Sequence, residues 1–186
     1  MLSYTDYLMV ISLPDDVKNQ IVRYKRASAN LIGEFEGIKR TPYLIITHQV
    51  RCKPFLVQPA IELMAKRIST MPPIELQINS FGNCNRGYNS KTIYAQIAAD
   101  EKVTNWFRLL NKQIGLKTPN AVPYIPLVPN IPLTGFNKLW PNLVNKPLIT
   151  SFTVNSLTIL HRDTFVDYCE WTLYKDLTFG NRLLAF

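Results

Sequence analysis

Apolar residues run almost unbroken from Tyr7 to Leu13, the pattern of a buried strand. Pro14 then suits the first position of a helix, with Asp15 and Asp16 close to its positive end. Val17, Ile21, Tyr24, Ser28 and Leu31 follow at helical spacing, and Lys18, Arg23, Lys25 and Arg26 are expected to stay in water on the other side. Gly33 marks the end of that helix. The chain from Tyr43 to Val50 reads as a second strand. Pro59 to Ser69 reads as a second helix, with Ile61, Met64, Ala65 and Ile68 on one face.

Further along, Ile74, Leu76 and Ile78 alternate with Glu75, Gln77 and Asn79, the periodicity of a strand with one wet face that runs on to Phe81. Gly82 to Asn89 has the composition of a turn, and Lys91 to Ala98 returns as the partner strand. Asp100 caps an amphipathic helix whose apolar side holds Val103, Trp106, Phe107, Leu110 and Ile114, and Gly115 stops it. Pro123, Pro126, Pro129 and Pro132 fall every third residue, the spacing of a polyproline II turn, so a strand through Pro126 must lie at an edge, be shortened or carry a bulge. Leu133 to Val144 predicts a short helix, and Ser151 to Leu160 and Phe165 to Leu173 predict two last strands. The order βαβαββα followed by βαββ suits an α+β fold, helices packed on antiparallel-rich sheets.

A chain of 186 residues with 47% hydrophobic composition can bury one sizeable core, so residues 1–186 are expected to form a single domain. The surplus of 21 Lys and Arg over 13 Asp and Glu favours an anionic partner such as nucleic acid, a nucleotide or an acidic membrane surface. The residues from Met1 to Asp6 do not resemble a secretion signal, and no window approaches the ~18 apolar residues of a membrane span. With Cys52, Cys84 and Cys169 odd in number and forming no CxxC pair, the expected setting is a reducing cytoplasm with free thiols and no membrane.

Two short segments echo each other: Pro42-Tyr43-Leu44-Ile45-Ile46 and Pro123-Tyr124-Ile125-Pro126-Leu127. A repeated strand entry suggests two pseudo-symmetric lobes with a cleft between equivalent elements. Together with Tyr7-Leu8-Met9-Val10-Ile11-Ser12-Leu13-Pro14, Ile78-Asn79-Ser80-Phe81-Gly82 and the late strand Phe152 to Leu160, this order resembles the two-histidine (2H) phosphoesterase superfamily. That superfamily includes 2′-5′ RNA ligase-like and RNA cyclic phosphodiesterase proteins. The resemblance implies a bilobal α+β fold, two antiparallel-rich sheets flanking a central cleft with helices outside.

The family's diagnostic feature is a pair of His-x-Thr strands, and the two echoes stand where those strands would be. The histidine positions hold Tyr43 and Tyr124, and the threonine positions hold Ile45 and Pro126. In the family one histidine acts as base and the other as acid on a cyclic or 2′,5′-linked phosphate, work that suits an imidazole titrating near ~6.5. A tyrosine phenol, at roughly 10, does not suit that work near neutrality. Ile45 offers phosphate no side-chain hydrogen bond, and Pro126 lacks even an amide donor. The family's mechanism therefore cannot be carried onto these residues.

The chain's two histidines are His48 and His161. Strict alternation puts His48 on the strand face opposite Tyr43 unless a bulge intervenes, and His161 is expected at a rim. His48, Cys52 and Cys84 lack a fourth ligand, so no metal or other cofactor is expected. Arg51 and Lys53, Arg86 and Lys91, and Lys39 and Arg40 are candidates to ring the cleft mouth. The candidate ligand-binding residues are Tyr43, Tyr124, Arg51 and Arg86: two phenols to stack a base or sugar, two guanidinium groups for phosphate. Three roles stay open at this point: binding of a nucleotide, an RNA end or a protein partner after loss of catalysis; phosphoesterase activity through displaced residues; and a structural or interaction role with the cleft filled.

Overall fold

The computed structural model of the protein describes residues 4–117, 122–166 and 170–180. Along them run β1 (Thr5–Ser12), α1 (Asp15–Ile32), β2 (Tyr43–Cys52), α2 (Pro54–Ile68), β3 (Ile74–Asn85), β4 (Ser90–Ile97), α3 (Glu101–Gln113), β5 (Ile125–Pro132), α4 (Leu133–Val144), β6 (Thr150–Val154), β7 (Ser156–Asp163) and β8 (Thr172–Thr178). The strands form two four-stranded sheets, in the orders β2-β1-β7-β8 and β5-β4-β3-β6. Every pairing is antiparallel. Their edge strands β2 and β5 touch, so the sheets meet along one seam.

One face of each sheet supplies a shared core. Tyr7, Met9 and Ile11 from β1 join Leu76 and Ile78 from β3, Ile93 and Ala95 from β4, and apolar residues of all four helices, among them Ile21, Ile61, Trp106 and Phe136. Helices thus cover that side, and the opposite sheet faces are left to the cleft. β1, flanked by β2 and β7, is buried on both faces: Leu8 and Val10 pack with Leu160 in a small patch on the cleft side. This is why its sequence is a continuous apolar run, whereas β3 alternates buried and exposed residues from Ile74 to Asn79.

Several expectations were displaced. Lys25 is buried, its ammonium donating to the carbonyls of Gly37 at 3.0 Å and Arg40 at 2.9 Å, while Leu31 is exposed. Helix α2 starts at Pro54 and carries Pro59 inside it. Pro54 fits the first turn as well as Pro59 would, and Pro59 sits on the exposed side, where water can satisfy the carbonyl its ring leaves unpaired. Gly82 to Asn85 belongs to β3, leaving only residues 86–89 to the turn. The proline-rich segment forms β5 at a sheet edge with two register shifts against β4, the condition Pro126 imposed, and not a polyproline II turn.

The expected strand from Ser151 to Leu160 breaks at Asn155: β6 pairs with β3 in one sheet and β7 with β1 in the other. Both halves are apolar on one side, so periodicity alone could not reveal the change of sheet. The expected strand from Phe165 to Leu173 is also displaced, because β8 begins at Thr172 and Thr164 and Phe165 lie in a turn. Its middle, with Cys169, lies outside the described residues. No described helix is long and apolar enough to cross a membrane.

Candidate functional site

The cleft wall on the first sheet follows from strand register. Directly paired residues in an antiparallel ladder point to the same face. Ser12 pairs with Tyr43, Val10 with Ile45 and Leu8 with His48. The pairs Met9–Thr47 and Val10–Ile45 leave Ile46 without a partner, a one-residue bulge. The bulge shifts the alternation and brings His48 onto the same face as Tyr43 and Ile45, where strict period two denied it. His161 pairs with Tyr7 and stacks beside it on the core-facing side, with Tyr174 edge-on at 5.2 Å. The two histidines therefore lie on opposite faces of one sheet and cannot act on one phosphate.

Tyr43 is half-buried against Leu8, Val10 and Leu160. Its hydroxyl has no hydrogen-bond partner among the described residues. Beside it, Ser12 donates to the Thr158 hydroxyl at 3.0 Å, which donates to the Asp176 carboxylate at 2.7 Å, a polar row across β1, β7 and β8. Further along the same face, the Trp171 ring meets His48 edge-on at 5.4 Å and takes the Arg162 guanidinium over its face at 4.6 Å.

Arg162 is held by Asp6. The Asp6 carboxylate is buried and accepts from Arg162 Nε and Nη2, each at 3.2 Å, from Thr164 Oγ1 at 2.8 Å and from the Arg51 amide at 3.0 Å. Burial pushes this carboxyl up, but the Arg51 amide, the Thr164 hydroxyl and the Arg162 guanidinium together outweigh it and hold the group below the usual range. Arg51 adopts a φ of 54° in a second β2 bulge, a conformation costly for a side-chain-bearing residue, and its bond to Asp6 fixes it there.

The wall on the second sheet is aromatic. Tyr94 on β4 pairs with Gly82 on β3. A Cβ at Gly82 would lie 2.6 Å from Tyr94 Cζ and 2.7 Å from its hydroxyl, so the hydroxyl end of the ring packs against bare backbone that only glycine provides. Tyr124 stacks on the Tyr94 ring, centroids 4.3 Å apart and planes at 29°. Arg86 Nη2 donates to the Tyr124 hydroxyl at 2.9 Å, and Arg86 forms no ion pair among the described residues. Burial, then Cys84 and Tyr124, push the Tyr94 phenol upward. A pocket of about 270 Å³ opens beside the two rings, lined also by Gln96, Thr104 and Pro123. The arrangement can stack a planar ring on the outer face of Tyr124 and offer a cation next to it.

Of the four candidate ligand-binding residues, Tyr124 and Arg86 are in contact. Tyr43 faces the cleft from the first sheet. Arg51 is eight residues further along β2, roughly 25 Å at strand rise, beside Asp6. Ile45 is exposed on the Tyr43 face, and Pro126 pairs with Tyr94. Among the other basic residues, Arg40 pairs with Glu36, Lys53 stands at the start of α2, Lys39 is in the turn after α1, and Lys91 lies over the Phe136 ring and bonds Asn83. His48 and Cys84 are on different sheets, and Cys52 packs against the core, where burial pushes its thiol up. Tyr94 and Trp171 went unnoticed in the sequence. Gly82, read from the sequence as part of a turn, lies instead in β3 opposite Tyr94, a pairing set by cross-strand register.

No known family matches the chain by sequence, and no curated protein does. Solved structures do match by shape. TT0787 of Thermus thermophilus superposes with a TM-score of 0.66 at 12% identity, covering 94% of this chain and 98% of that one. E. coli LigT in apo form gives 0.65 at 13%, covering 95% and 98%. E. coli LigT complexed with NADP+ gives 0.64 at 13%, with the same coverage. LigT structures complexed with phosphate, 3′-AMP and ATP also match. At such identities the likeness establishes the fold, and the fold is the one the order of strands implied.

Proposed function

We propose that this chain, built on the 2H phosphoesterase fold, uses its cleft to hold a nucleotide or RNA end without cleaving it. The observation that carries this reading is the Gly82–Tyr94–Tyr124 stack with Arg86 bonded to its outermost ring. Tyr94 packs on Gly82 at its hydroxyl end and stacks on Tyr124, and a base is received on the outer face of Tyr124 and its phosphate by Arg86. That LigT, of the same fold, is found with 3′-AMP, ATP and phosphate supports the choice of ligand class. The net charge of +8 supports it further. Catalysis by the family route lacks its parts: Tyr43, Ile45, Tyr124 and Pro126 occupy the four motif positions, and His48 and His161 are separated by a sheet.

Titration with 3′-AMP by calorimetry is the test. The wild-type chain binds, and Tyr124→Ala weakens binding roughly 5- to 100-fold, the loss of one base–aromatic stack. Arg86→Ala weakens it as well, and the difference from wild type narrows as salt rises, because the lost contact is a screened charge–phosphate pair. In parallel, 2′,3′-cyclic AMP incubated with the protein stays intact. Turnover that disappears in Tyr43→Phe plus Tyr124→Phe would show instead that the phenols are catalytic.

Lys25 makes a separate prediction. Lys25→Met leaves the carbonyls of Gly37 and Arg40 without their donor and frees the turn leading into Tyr43. The expected cost is about 1–3 kcal/mol, read as a lower urea midpoint. Faster amide exchange over residues 37–42 should accompany it.

A further inference from the structure

The hairpin joining β3 to β4 turns through Arg86-Gly87-Tyr88-Asn89, closed by the Arg86 amide donating to Ser90 O at 2.8 Å and by Gly87 at a φ of 76°. At its tip Tyr88 has 103% relative exposure, its whole ring in water. A turn of this kind calls for glycine, asparagine or aspartate and gains nothing from an aromatic. Leaving such a ring unburied forgoes the contacts an aromatic ordinarily makes. The same tip supplies Arg86, whose guanidinium reaches back to Tyr124. Two residues of extended chain span at most ~7 Å between Cα atoms, so Tyr88 and Arg86 project from the same hairpin tip.

We propose that Tyr88 is a second stacking platform, and that the occupant of this cleft is a single-stranded nucleic acid of several nucleotides and not a mononucleotide. One base lies on Tyr124, the following phosphate meets Arg86, and a base further along the strand stacks on Tyr88. Aromatic rings spaced along a basic track are how single strands are held without reading their sequence. This inference rests on the reading of Tyr124 and Arg86 as a nucleotide site.

The experiment compares 3′-AMP with a pentamer of riboadenylate on the full chain, by calorimetry and by anisotropy of the labelled pentamer. The wild type should bind the pentamer at least tenfold more tightly than 3′-AMP, beyond the roughly fivefold statistical gain of five equivalent nucleotides. Tyr88→Ala should reduce pentamer affinity about 5- to 100-fold and leave 3′-AMP unchanged, with Tyr88→Phe close to wild type. Tyr124→Ala should weaken both ligands. A pentamer that binds no better than 3′-AMP, or that is indifferent to Tyr88→Ala, overturns the second platform and leaves the Tyr124 site standing. If neither ligand binds the wild type, both readings fall together. Because Tyr88 touches nothing buried, loss of folding cannot imitate the expected result.

Discussion

Gly82→Ala should dissolve the aromatic platform while leaving the fold in place. The new methyl would collide with the far end of the Tyr94 ring, 2.6 Å from Cζ, and not with backbone. The ring therefore swings aside and the strand stays paired. Doing so takes Tyr94 off Tyr124, a stack at 4.3 Å of a kind worth about 0.5–1.5 kcal/mol. Tyr124 loses its backing and the Arg86 bond its fixed acceptor. Affinity for 3′-AMP should fall roughly 2- to 12-fold, with the thermal midpoint down by no more than about 5 °C. A double-mutant cycle makes the mechanism specific: in a Tyr94→Ala background, Gly82→Ala should cost almost no further affinity. Wild-type binding by Gly82→Ala would sink the stacked platform as the ligand site.

Much of the framework was legible because single elements announced themselves. Asp100 accepts from the Val103 amide at 2.7 Å as a capping residue should, and α4 occupies the span its apolar spacing indicated. Lys25 shows where local reading stops. It lies four residues after Ile21 and three before Ser28, on the buried stripe by period, yet a lysine is ordinarily assigned to water. Two carbonyls presented by a later turn reverse the assignment, and that turn is brought there only by the tertiary fold. Asn155 is similar: nothing in an apolar run says that the chain leaves one sheet for the other.

The candidate site was legible in part for the same reason. The Pro-Tyr echoes nominate Tyr43 and Tyr124 as candidates through their resemblance to a known motif. What Tyr124 touches depends on cross-strand register, which places Gly82 opposite Tyr94. The Ile46 bulge is another register effect, and it decides which face His48 occupies. Residue identity points to candidates here, but bulges and strand pairing decide which of them meet.

Asp6→Ala should be the most destabilising substitution among those considered. It removes the acceptor of four hydrogen bonds and strands the Arg51 amide, the Thr164 hydroxyl and the Arg162 guanidinium. Removing one partner of a largely buried pair costs about 3–5 kcal/mol, and with Arg162 37% exposed to water the lower end applies, about 3 kcal/mol. For a chain of this size that lowers the thermal midpoint by roughly 6–12 °C. The effect should reach the cleft, because Arg162 no longer held by Asp6 leaves the Trp171 face and frees the ring beside His48. Tryptophan fluorescence should report that release.

Acid provides the independent check. The folded Asp6 carboxyl lies below its unfolded value, so its contribution is complete above the unfolded carboxylate pKa of ~3.9 and is lost as pH falls through the lower folded value. Wild-type stability should therefore decline in that acid window more steeply than that of Asp6→Asn, which keeps one carbonyl acceptor but has no proton to gain. Equal slopes for the two proteins below pH ~4 would mean that the network is held by shape and not by the charge of Asp6.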